Sequence, residues 1–361
     1  MKNHITLLTA GLLLVLVALS GCVSSRSAPV RASDDWTLVW EDDFDGRQLD
    51  SEDWNYRLGN GFYDSYDNWV PGWGNSELQY YTNRPENIYL SNGSLILEAN
   101  DEDFEGEADG SMSTFRYTSG AVTTEDRFAQ TYGRFEIRAK LPQGRGLWPA
   151  FWLLPAEEEY GPWAASGEID VMEGWGSRPI HVSQAAHFGG EWPGNTYAHS
   201  EYLLPPGRTT ADWNVYALEW EPGQMRWYVN DEEVFMLERW FTGSSMNPET
   251  YPAPFDKDFY ILMNLAVGGH FDGNPNQSTE FPARFEIDYI RVYELTGRSY
   301  REPVYPALDQ EPRPEDWRPA TEDGNEVYNA DFTQDDPEVE GIEGVPGTDH
   351  WVYLQLRQFM G

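Results

Sequence analysis

The chain has 361 residues, enough for one large or two ordinary domains, and its 40% apolar and 15% aromatic content permits a substantial core. With 61 acidic residues against 24 basic ones its formal net charge is -37, a field that repels nucleic acid and disfavours sulfated polymers. A single cysteine excludes an intrachain disulfide.

Lys2 and His4 open the chain, a nearly unbroken apolar run extends from Ile5 to Leu19, and Leu19-Ser20-Gly21-Cys22 follows. The run is short for a membrane-spanning helix, which needs about 20 residues. It resembles a bacterial lipoprotein signal, cut before Cys22 so that this cysteine carries the lipid. That resemblance implies a signal over residues 1–22 and a cell-surface or outer-membrane lipoprotein of a bacterium, attached to the membrane by its lipid; a secreted protein is the alternative. Residues 23–35, rich in Ser, Ala, Pro and Arg, read as a flexible tether.

From Trp36 the pattern is strand and turn with few helical candidates. Alternating segments are Trp36–Trp40, Ile88–Ala99 around an Asn92-Gly93 turn, Tyr132–Leu141, Leu147–Leu154, Trp213–Trp220, Met225–Val229, Phe259–Val267 and Phe285–Tyr293. Many short strands without interspersed helices predict an all-β sandwich or jelly roll of two antiparallel sheets. Sixteen Trp and twenty-one Tyr exceed what packing usually requires, and exposed aromatic rings in a cleft suit the flat apolar faces of sugars.

The centre of the chain carries Glu168-Ile169-Asp170-Val171-Met172-Glu173. In a strand, Glu168 and Asp170 share one face and Ile169 and Val171 the other. Glu173, five positions from Glu168, would then point into the core, where an unpaired ionised carboxylate is very costly. One extra residue, a bulge around Val171-Met172, returns it to the acidic face. Two glutamates about 5 to 5.5 Å apart across one glycosidic bond can serve as nucleophile and as acid then base. Asp170 between them would raise its neighbours' pKa and hold a proton or hydrogen bond between turnovers. A solvated acidic edge strand is the competing reading, opposed by the apolar alternate positions and aromatic flanks.

Several motifs, among them Trp73–Thr82, Tyr132–Pro142, Trp148–Pro155, the carboxylate strand, Tyr216–Glu221, Asn264–Gly269 and Ile287–Tyr293, together resemble glycoside hydrolase family 16, most closely its laminarinase (endo-1,3-β-glucanase) branch. The resemblance covers about Trp36 to Leu295. It implies a catalytic domain over 36–296 with a substrate cleft on a concave sheet and retaining hydrolysis of a β-linked polysaccharide. It further implies Glu168 as nucleophile, Asp170 as the carboxylate between, Glu173 as acid/base, and Asn75, Trp148, Trp163, Trp175 and His187 as substrate-binding residues. No cofactor is implied for catalysis. A structural Ca²⁺ on the convex side is, held by Asp288 with backbone oxygens near Glu41 and Gly93.

Residues 297–361 form an acidic, Pro-rich extension, in which Val327–Phe332 and His350–Leu356 restore apolar alternation. The expectation is a monomeric endo-acting β-1,3-glucanase with polysaccharide as its partner and no nucleic acid. Alternatives are a same-fold hydrolase of mixed-linkage glucan, agarose or porphyran, and a non-catalytic glucan-binding protein.

Overall fold

The structure, a computed structural model, describes residues 35–244, 247–248, 251–304 and 326–328. Cys22, the signal, the tether up to residue 34 and most of the 297–361 extension, His350–Leu356 included, lie outside the described residues. Among the described residues no helix is long and apolar enough to cross a membrane.

Two large sheets hold nearly all the strands. One orders Glu232–Leu237, Gln224–Val229, Asn214–Glu221, Gly133–Lys140, Ala283–Leu295, Ser94–Ala108, Ser111–Ser119 and Gln79–Tyr81, with Trp36–Asp42 and Ile88–Ser91 paired at its sides. The other orders Asn55–Tyr56, Ala121–Thr123, Phe259–Val267, Leu147–Pro155, Glu168–Gly174, His181–Gly189, Asn195–Leu203 and Glu326–Tyr328. Every large-sheet pairing is antiparallel except that of Gln79–Tyr81 with Ser111–Ser119. The all-β jelly roll expected from the strand pattern is the fold observed.

Period-two alternation explains the layering. Phe259, Ile261, Met263, Leu265 and Val267 are wholly buried in the common core with Phe151, Leu153, Ile169 and Phe188 of the same sheet. Phe135, Ile137, Leu218 and Trp227 meet them from the opposing sheet. The intervening residues of the second sheet, such as Trp148 and Trp152 on one strand and Glu168 and Asp170 on the next, point to the other face.

The bulge lies where the misplaced glutamate demanded it. Asp170 pairs with Ala185 and Glu173 with Ser183, so Val171 and Met172 together face one residue, Gln184. On the other side, Met172 pairs with Phe151 and Asp170 with Trp152. The Asp170 carbonyl at this irregularity accepts a 2.9 Å bond from the Trp227 indole of the opposing sheet. A buried bond of this kind contributes about 1 kcal/mol and prevents a larger desolvation cost.

The described part of the extension is fastened to the domain. Arg298 bonds to Glu221 at 2.7 Å, Arg301 to Glu238 at 3.0 Å, and Tyr300 packs against Tyr132. The backbone of Glu326–Tyr328 pairs with Asn195–Leu203, adding a strand at that edge of the sheet.

Candidate active site

Register brings the site together from residues far apart in sequence. One line across the sheet runs Glu168, His187, Tyr197; the next Trp152, Asp170, Ala185, His199; a third Asn264, Ala150, Glu173, Ser183, Glu201. All three carboxylates thus share one face.

Each glutamate is held by a tryptophan. Trp163 Nε1 donates to Glu168 Oε2 at 2.9 Å, and Trp148 Nε1 donates to Glu173 Oε1 at 3.0 Å. Trp163 is placed by a single 3-10 turn, Trp163–Ala165, entered with a left-handed φ of 46°, and its backbone N–H bonds to Glu158. His187 lies opposite Glu168, with Nε2 3.3 Å from Asp170 Oδ2 and 3.7 Å from Glu168 Oε1. Its ring stacks on Tyr197 and leans against Trp163. The Asp170–His187 contact is an ion pair without hydrogen-bond alignment: Asp170 Oδ2 and His187 Nδ1 are both enclosed and have no hydrogen-bond partner.

Crowding of like charges in a dry site sets the proton affinities. Burial first, then the Asp170 charge, raises Glu168 to about 7, while His187 and the Trp163 bond pull the other way. The same causes push Glu173 well above the ordinary carboxylate range. Burial would lower His187, but Asp170, Glu168 and Glu173 overcome it and raise the imidazole to about 9. The cluster therefore sets a Glu173 that holds its proton more tightly than an ordinary carboxylate near an imidazole that favours its charged form. Glu168, Asp170 and His187 converge, with donor atoms within 4.8 Å of one another.

Other expected residues divide. Asn75 donates to Glu77 at 3.1 Å and lies half-buried beside the loop of His270. Trp175 departs from the expected sugar platform. Only 8% exposed, it stacks on Phe271 at 4.4 Å, donates to the Phe271 carbonyl and carries the Arg178 guanidinium 4.6 Å from its ring centre. Phe271 also stacks on Trp148 at 4.7 Å, so Trp175 supports the residue that holds Glu173. At the expected calcium position the carboxylate has a partner of its own. Asp288 accepts a 2.6 Å bond from Arg138, Glu41 pairs with Arg291 at 3.1 Å, and Gly93 occupies the Asn92-Gly93 turn with φ 75°. Ca²⁺ takes oxygen ligands, and the one carboxylate of the expected set, Asp288, is already engaged by a guanidinium group.

Sequence reading passed over four residues that line the face. Trp192 is two-thirds exposed and leans on Trp163, Tyr197 backs His187, and Trp152 bonds through Nε1 to Asn264 at 2.7 Å. The fourth is Arg57, whose guanidinium lies 4.6 Å from the Trp73 ring centre and 5.9 Å from that of Trp152. Alternation along Leu147–Leu154 could have flagged Trp152; Tyr197 depends on the register of Asn195–Leu203 against His181–Gly189, and Trp192 and Arg57 lie outside the strands.

A jelly roll with two indole-held glutamates flanking an aspartate on its open face is the frame of a polysaccharide-cleaving glycosidase. Residues 73–291 match glycosyl hydrolases family 16. The chain is 44% identical over 262 residues to "Glucan endo-1,3-beta-glucosidase A1" of Niallia circulans, covering 71% of this chain and 38% of that protein. It is 41% identical over 300 residues to "Beta-glucanase" of Rhodothermus marinus, covering 79% and 93%. Among solved structures, the laminarinase catalytic domain from Thermotoga maritima matches with a TM-score of 0.61 and 36% identity, over 72% of this chain and 99% of that one. The chain belongs to glycosyl hydrolases family 16.

Proposed function

We infer that the protein is a retaining endo-glycosidase hydrolysing β-1,3-glucan of the laminarin type. The observation that carries the mechanism is the bulged strand, which sets Glu168 and Glu173 on one face, each oriented by its own indole. Names borne by the relatives, glucan endo-1,3-beta-glucosidase and laminarinase, support the substrate.

Glu173, whose proton affinity burial and the Asp170 charge push well above the ordinary carboxylate range, is suited to protonate the departing oxygen. Glu168 attacks the anomeric carbon; the Trp163 N–H and the His187 charge favour its ionised form against the repulsion from Asp170. Once its proton is given up, Glu173 acts as base and directs water to the face the first leaving group vacated, so configuration is retained. Asp170 and His187 balance charge through both steps. Proton NMR of fresh laminarin digests should show the β-anomer first, with α growing only by mutarotation; an initial α signal refutes the double displacement. Faster cleavage of agarose or lichenan than of laminarin would refute the substrate while leaving the mechanism intact.

We further propose, from the apolar run Ile5–Leu19 followed by Leu19-Ser20-Gly21-Cys22, that lipid on Cys22 holds the enzyme at a bacterial cell surface. Fractionation of wild type and Cys22→Ala tests this, and equal solubility of the two would dismiss it.

A further inference from the structure

In a chain with 61 acidic residues, Arg57 makes no ion pair among the described residues. It is placed by an edge contact, its N–H bonding to the Ala121 carbonyl, and Ala121 pairs with Asn264, Asn264 with Ala150 and Ala150 with Glu173. The side chain reaches back toward the carboxylates along the cleft face, onto Trp73 and toward Trp152, which itself pairs with Asp170.

Two donors are left open at this point. Arg57 Nη1 and Trp73 Nε1 are both enclosed and have no hydrogen-bond partner. Guanidinium and indole nitrogens only donate, so neither can satisfy the other, and an enclosed unpaired donor carries a desolvation penalty. What is missing is an acceptor. The surroundings determine its charge: Arg57 also donates a hydrogen bond to the Tyr260 hydroxyl and acts electrostatically on Glu168 and Glu77, and the whole chain is strongly negative, so an anion would approach against the local field. Hydroxyl oxygens offer lone pairs without charge, and the apolar face of Trp152 lies beside the donors to receive a sugar ring.

We propose that Arg57, with the Trp73 N–H beside it, is a specificity-determining residue whose donors take hydroxyl oxygens of a neutral glucosyl unit one or two rings from the scissile bond, on the Trp152 side. The distance follows from Trp152 standing on the strand next to the carboxylates, about 5 Å away. This inference rests on the β-1,3-glucan reading above. It adds that the Trp152 half of the cleft measures chain length: an oligosaccharide too short to reach Arg57 gains nothing from it, and a longer one gains the fork of two hydrogen bonds.

Calorimetric titration of Glu168→Gln protein with β-1,3-linked glucose oligomers from two to six units tests it. Affinity should step upward at the length that first reaches the Arg57 site. Adding Arg57→Met, which keeps an apolar chain on Trp73, should remove the step and weaken the longer oligomers about 10- to 100-fold while the shortest bind as before. Arg57→Lys, a point charge without the fork, should recover only part. In the active enzyme, Arg57→Met should also move the bond cut in reducing-end-labelled hexamer. Equal weakening at every length, or an unchanged cleavage position with an unchanged step, overturns the proposal, as does tighter binding of a uronic-acid or sulfated oligomer than of the neutral one. Failure of the wild type to cut any of these oligomers would instead remove the substrate reading.

Discussion

Two buried acidic clusters stand on strands of this sandwich, and they behave oppositely. On the ten-stranded sheet, wholly buried Glu136 accepts from Arg134 Nη2 at 2.8 Å and from the Tyr289 hydroxyl at 2.9 Å, and Arg134 also bonds Glu219, which accepts from Tyr228. On the other sheet, Glu168, Asp170 and Glu173 share one imidazole and two indoles, with enclosed atoms of Asp170 and His187 left over. Burial is common to both. What separates a structural cluster from a reactive one is the shortage of partners, which leaves protons loosely placed and available.

The contrast can be broken at either end. The largest effect belongs to Glu168→Gln, which should lower kcat at least about a thousandfold with the fold intact by circular dichroism. Near wild-type turnover would return the carboxylates to a passive role. Arg134→Met should do the reverse, leaving Glu136 buried and unpaired and costing about 3–5 kcal/mol in denaturant unfolding while kcat per folded molecule is retained.

A smaller effect concerns pH. Glu168 and His187 both have folded pKa values raised above their unfolded ones, to about 7 and about 9. Each therefore stabilises the fold fully below its unfolded pKa and loses that contribution as pH rises through its folded value. The melting temperature should fall between about pH 5 and 9, and Glu168→Gln should flatten that fall, becoming the more stable protein near pH 8 by about 1–3 kcal/mol. A parallel decline in both proteins would mean that the cluster is not the source. Smaller still, His187→Gln removes a positive charge that favours ionised Glu168. The acidic limb of kcat/KM should then move to higher pH.

How much of this was legible beforehand depends on whether a feature is local. Alternation revealed Phe259–Val267 to the residue, and the cost of burying Glu173 was enough to locate the bulge at Val171-Met172. Trp163 came from the family resemblance, and it stands only five residues from the group it holds. Trp175 misled because an aromatic beside catalytic residues looks like a platform until Phe271, ninety-six positions on, covers it. Arg57 and Trp73 were invisible as a pair, since a long loop brings them together. For Asp288, nothing local in the sequence announced its partner Arg138, which arrives from a neighbouring strand.

The bond from Trp227 to the Asp170 carbonyl bears on how such a site can change its length over evolutionary time. Deleting one of the two bulged residues would leave Glu173 four positions from Glu168, still on the same face, so the alternation itself tolerates the loss. What would not survive is the carbonyl turned out of the ladder toward the opposing sheet, and Trp227 would be left with an enclosed indole N–H. A shortened strand therefore calls for a second change at Trp227 to an apolar residue that donates nothing. The two positions are therefore expected to be coupled across the core, and lineages that differ in the length of this strand should differ at the facing tryptophan as well.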